Sequence, residues 1–234
     1  MPPFLRSIFP FIRYNASHIF AGKFIYFLLL AVLVFIVSVM IHAYNVEVPP
    51  SQKDIYLFLL APGILLIFYP SAYAIQADAD ARMLETLFGI PDYRYKIWLA
   101  RHLVQQVIVV MLLFLLALFC RYTLVEFSVW QMVFHLFFPI FFISSLAFTL
   151  ASLTRSGTAA TVLLVVLILF FLILAAPLRD SAWNLFYNPF ISSEALILIS
   201  RGETTFYNRV YLLVGSVATT LLALLRLQQR EKFV

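Results

Sequence analysis

Six long apolar segments dominate this 234-residue sequence and constrain its fold more than any other feature. They lie at 24–41, 55–75, 97–119, 132–153, 159–176 and 206–225. A helix needs about 20 apolar residues to cross a hydrocarbon core of ~30 Å, and inside that core only helices or closed barrels can satisfy every backbone group. Charged residues make up 12% of the chain, too few to coat a water-soluble globule, for which about a quarter is usual. The sequence therefore predicts an all-α membrane protein of six transmembrane helices in a single domain spanning 1–234. No internal repeat or linker divides it.

The first apolar segment begins only after residue 23 and is 18 residues long, beyond the ~7–15 residues of a signal-peptide core, so it is read as a retained span. With Arg101 near the interface added, alternation of the spans groups eleven of the sixteen Lys and Arg residues on the side of the N-terminal arm (1–23), the 76–96 loop, the 154–158 loop and the tail (226–234). The positive-inside rule makes that side, with both termini, cytoplasmic. The net charge of +5 is thus dispersed between apolar runs and forms no stripe of the kind that binds nucleic acid. In the arm, Phe4, Leu5, Ile8, Phe9 and Ile12 recur at helical spacing opposite Arg6 and Arg13, the pattern of an interfacial amphipathic helix that Pro10 divides.

Several chemistries find no residues here. No Asp or Glu falls within the six apolar cores as bounded above, which argues against a carrier driven by a proton or sodium relay. His102 and His135 belong to opposite halves of the membrane, about 15 Å apart along its normal at 1.5 Å per helical residue, too far to share one haem iron. The single Cys120 excludes an intrachain disulfide and a cysteine metal cluster. No catalytic signature or phosphate-binding loop occurs, so the chain is not expected to be an enzyme. No metal or cofactor is expected in it, and energised work would draw on a partner.

One loop has a pattern. Between spans two and three, Asp78 and Asp80 are expected to open a short helix, where acids complement the helix dipole. Met83, Leu84, Leu87 and Phe88 make an apolar stripe, Gly89 suits a left-handed cap, and Pro91 blocks continuation. Arg82 and Glu85 occupy the polar side of this amphipathic helix, a surface suited to docking a partner.

The run Met83-Leu84-Glu85-Thr86-Leu87-Phe88-Gly89-Ile90-Pro91, followed by basic residues and by Arg101 at the next span, resembles the coupling-helix region of type-2 ABC (ATP-binding cassette) exporter permeases. The amphipathic arm, the six spans, Leu153-Thr154-Arg155-Ser156, Asn188-Pro189-Phe190 and the basic tail match the same layout. Arg82 departs from it, standing where such permeases often have glycine. The resemblance implies a permease of the bacterial plasma (inner) membrane that pairs with a second permease chain, identical or homologous. Two ATP-binding cassette subunits would hold the ATP and Mg. It also implies that Arg82, Leu84, Glu85, Leu87, Phe88, Gly89, Pro91 and Arg94 transmit the motion of those subunits. Tyr69, Tyr73, Gln105 and Gln106 are polar groups in the cytoplasmic halves of spans two and three. They line a pathway or bond between helices. A non-transporting membrane scaffold or assembly factor and a self-sufficient carrier remain the alternatives.

Overall fold

The computed structural model describes residues 24–45, 49–80, 94–191 and 195–227. The N-terminal arm, the segment 81–93 and the tail beyond 227 lie outside the described residues. Six helices are long and apolar enough to cross a membrane. They are α1 (Phe24–Asn45), α2 (Gln52–Asp80), α3 (Ala100–Thr123), α4 (Val129–Thr154), α5 (Gly157–Ala175) and α6 (Ala195–Arg226), and a π-helical turn, Arg94–Leu99, leads directly into α3. No strand occurs among the described residues. The chain is an all-helical membrane protein.

Hydropathy marks the apolar middle of a helix and not its ends, because backbone hydrogen bonding continues through polar turns. The difference is largest at α6. Residues 195–205, which precede the apolar segment 206–225, are its first turns. Its 32 residues make a rod of ~48 Å, longer than a bilayer core. At α2 the helix runs unbroken past Pro62 and Pro70 as far as Asp80. Asp78 and Asp80, expected to open a short helix, instead close this one.

Local caps fix where the helices start. Ser51 donates to Asp54 through both its backbone N–H (2.9 Å) and its hydroxyl (2.6 Å), a capping-box arrangement at the head of α2. Ser128 and Ser156 accept N-cap bonds from the backbone N–H groups of Gln131 and Ala159. Between α4 and α5, Arg155 takes a left-handed conformation (φ 57°) and returns its N–H to the Ala151 carbonyl at 2.9 Å, so the chain reverses in two residues.

Contacts between side chains give the packing. Ser71 meets Ser144, and Thr149 and Thr220 both reach the Ser145–Thr219 level. Phe142 covers Gly215, and His135 meets Arg209. Positions on α2, α4 and α6 thus advance together, and these three helices run parallel, with α4 in the middle. Over the most apolar 18 residues, 61% are buried in α2 and in α4, against 17% in α1 and 11% in α5, so α1 and α5 flank the bundle and turn apolar faces outward. We call the end that carries Phe24, Asp80 and Arg226 the entry end, and the opposite one the far end.

Close approach in a membrane depends on small residues, since lipid is as apolar as leucine and burial alone gives no drive to associate. The small residues at 144, 145, 147, 151 and 152 form the buried face of α4. Gly63 lies under Ile140, Gly157 under the Tyr73 ring, and Gly215 under Phe142, where an added Cβ would come within 2.7 Å of the ring. Gly202, by contrast, has nothing within 4 Å of an added Cβ. Gly215→Val should therefore cost about 1–3 kcal/mol through overpacking. Gly202→Ala should be neutral or gain up to ~1 kcal/mol of helix propensity. Thermal unfolding of the purified variants measures both.

Candidate functional site

The interior of the bundle is not uniformly apolar. On the entry-end half, Ser71 of α2, Gln105 and Gln106 of α3, and Ser144 of α4 form one hydrogen-bonded group. Gln106 Nε2 donates to Ser144 Oγ at 2.6 Å, Gln105 Nε2 contacts both Ser71 and Ser144, and the two serine hydroxyls lie 2.9 Å apart. Adjacent to it on α4, Ser145 accepts from the Thr220 hydroxyl of α6 at 3.1 Å and sits 3.4 Å from His102 Nε2. Thr149 donates to the Thr219 carbonyl at 2.8 Å, which joins α4 to α6 one turn on. His102 also stacks on Phe148, with ring centroids 5.3 Å apart. All of Ser71, His102, Gln105, Gln106, Ser144 and Ser145 are buried. Groups of this kind are expensive in hydrocarbon unless they find one another, so the network holds four helices in one rotational setting.

Nearer the entry end, Arg101 Nη1 donates to Asp78 Oδ2 at 2.6 Å, with 6% and 1% of the two side chains exposed. A carboxylate at a helix C-terminus is opposed by the dipole of that helix, and the guanidinium from α3 offsets this. The same guanidinium lies 5.3 Å from the centre of the Trp98 ring, on the π-helical turn. Trp98 is buried against Ala72, Ile75 and Leu224, so the turn is packed into α2 and α6. The ion pair therefore joins the two helix ends from which the 81–93 segment departs.

A cavity of about 420 Å³ opens at the entry end between α1 and α2. Phe27, Tyr69, Tyr73, Gln76, Ala77 and Asp80 line it. The rings of Phe27 and Tyr69 stack at 5.5 Å and those of Tyr69 and Tyr73 at 5.3 Å. Gln76 is held by its side-chain carbonyl, which accepts from the Gly157 N–H at 2.6 Å.

The far end is closed by the chain between α5 and α6. Asn208 donates to the Ala182 and Asn184 carbonyls (2.9 and 2.8 Å), and Asn188 donates to the Lys53 carbonyl (2.9 Å). Arg209, buried, donates to Asn208 Oδ1 at 2.8 Å and contacts the Tyr187 carbonyl and His135 Nδ1, each at 3.4 Å. Its guanidinium lies 5.8 Å from the centre of the Phe138 ring. All these partners are neutral.

The residues singled out in the sequence fall in three places. Tyr69 and Tyr73 line the cavity. Gln105 and Gln106 do not; they bond across helices in the polar network. Arg82, Leu84, Glu85, Leu87, Phe88, Gly89 and Pro91 lie outside the described residues, and of Arg94 only the backbone, in the π-helical turn, is described. Sequence reading missed Ser71, Ser144, Ser145 and Thr220 and the partnership of Asp78 with Arg101. The hydroxyls at 144, 145, 149 and 152 were a visible signal, since they recur on one face of an apolar helix. Among the described residues no group of three or more His, Cys, Asp or Glu is placed to hold a metal ion. No protein-family model matches the chain, and no curated protein or solved structure is similar enough to identify a relative.

Arg101→Met removes the charged hydrogen bond that the guanidinium makes to buried Asp78 and should cost about 1.5–3 kcal/mol. The double variant Asp78→Asn/Arg101→Met should recover most of that loss. Ser144→Ala withdraws the shared acceptor of two buried glutamines and should cost about 1–3 kcal/mol. Denaturation of the detergent-solubilised variants reads all three.

Proposed function

We propose that this chain is the membrane-spanning permease subunit of an ATP-driven ABC-type exporter. It acts as a dimer of permease chains in the bacterial plasma membrane, with the entry end facing the cytoplasm. Separate ATP-binding subunits supply ATP and Mg and dock on the coupling helix around Glu85. The reading rests on one observation above all: the Met83–Pro91 motif joins two helices whose ends are clasped by the buried Asp78–Arg101 pair.

That clasp suits the role. A segment pushed by a partner transmits force only if its ends do not fray, and the ion pair with the packed Trp98 ties both ends into the bundle. Movement at 81–93 would then reach α2 and α3 together. From α2 and α3 it would pass to α4 and α6 through Ser71, Gln105, Gln106 and Ser144. The distribution of Lys and Arg supports a cytoplasmic entry end.

Purification of the chain from its native membrane under mild detergent should bring down an ATP-binding cassette subunit. Glu85→Ala in that complex should leave ATP hydrolysis but abolish its stimulation by transport. A chain that purifies without such a subunit, or a complex in which Glu85→Ala leaves coupling intact, would refute the assignment. Labelling of a cysteine placed at position 85 by an impermeant maleimide, tested from each side of sealed vesicles, checks the orientation separately.

A further inference from the structure

The cavity at the entry end is a stripe on α2: Tyr69, Tyr73, Gln76, Ala77 and Asp80 follow one another at helical spacing, with Phe27 of α1 facing them. From Tyr69 to Asp80 the stripe is about 16 Å long at 1.5 Å per residue. Its volume, about 420 Å³, falls in the range of small-molecule sites. One end is an aromatic wall, where the Phe27, Tyr69 and Tyr73 rings stack in series. The other end is polar, with the Gln76 amide and the Asp80 carboxylate.

Three features of the polar end point to a cation. Asp80 is exposed and makes no ion pair or hydrogen bond with any described residue, unlike Asp78 two positions earlier. It stands on the last residue of α2, where the carbonyl ends of the helix add negative potential to the carboxylate. Among the described residues that line the cavity none is basic, so none neutralises Asp80 or would hold a phosphate. The Tyr69 and Tyr73 hydroxyls, also without a partner among the described residues, offer further oxygen acceptors along the aromatic wall.

The geometry points to a binding site for a lipophilic organic cation, with its apolar body along the Phe27–Tyr69–Tyr73 wall and its charged head at Asp80. Charge selects for a net cation over a zwitterionic phospholipid, whose phosphate would meet Asp80 and the helix C-terminus without a counter-charge. The site goes beyond the exporter reading and stands without it, since it needs only this chain.

The test uses the full chain alone in phosphatidylcholine nanodiscs, titrated with rhodamine 6G, a fluorescent lipophilic cation, and followed by anisotropy. Saturable binding is expected, displaced by tetraphenylphosphonium and by dodecylammonium but not by the neutral detergent dodecyl maltoside or by added phosphatidylethanolamine. Asp80→Asn should weaken it about two- to fivefold, the effect of one exposed charge contact. Asp80→Glu should restore it, and Gly202→Ala should leave it unchanged. Asp80 makes no ion pair or hydrogen bond with a described residue, so Asp80→Asn should unfold at the wild-type temperature. Unsaturable partitioning into the disc, equal affinity for wild type and Asp80→Asn, or displacement by phosphatidylethanolamine would each overturn the site. Because no ATP-binding subunit is present, these outcomes are separate from the pull-down that tests the exporter reading.

Discussion

Polar groups inside a bilayer have no water to fall back on, and in this bundle that constraint decides how the helices face one another. Apolar helix surfaces are nearly indifferent to rotation, because leucine against leucine and leucine against lipid are similar environments. A glutamine or serine is not indifferent. The buried face of α4 offers Ser144, Ser145 and Thr149, and α2, α3 and α6 each turn a polar residue toward them. The small volume of those same α4 residues lets the neighbouring backbones come close enough for the bonds to form. Size and hydrogen-bonding capacity thus work through one helix face, and the parallel α2–α4–α6 arrangement follows.

The two ends of the bundle are built differently. At the far end, the connection between α5 and α6 folds down as a cap: Asn208 and Arg209 take up its backbone carbonyls, and its own Asn188 donates to the Lys53 carbonyl of α2. Arg209 is held there by amide, carbonyl, imidazole and ring contacts, with no carboxylate among its described partners. At the entry end the closure is an ion pair and a buried tryptophan, and the cavity remains open beside them. Asp78 and Asp80 illustrate the difference between structural and available charge. Two residues apart on a helix, they lie on opposite sides of it. One is buried against Arg101, and the other stands at the mouth of the cavity.

Much of this architecture was legible in the sequence. The apolar segments gave the number and order of the helices, because the length of hydrocarbon to be crossed is fixed and each residue contributes a known rise. The four polar residues opening the third span, Arg101, His102, Gln105 and Gln106, were visibly out of place against lipid, and all four are buried against protein. Tyr69 and Gln105, grouped in the sequence as polar residues at similar depth, part company in the bundle, one to a cavity and one to a hydrogen bond.

Composition and spacing, then, determined an all-helical chain with six apolar helices, since those depend on local backbone bonding and on how many apolar residues occur in a row. Only the tertiary structure decided that Asp78 meets Arg101, that Gln105 and Gln106 converge on Ser144, and that a cavity forms between α1 and α2. Each of these depends on the rotation of one helix relative to another. That rotation is fixed by contacts between residues distant along the chain, which no local pattern encodes.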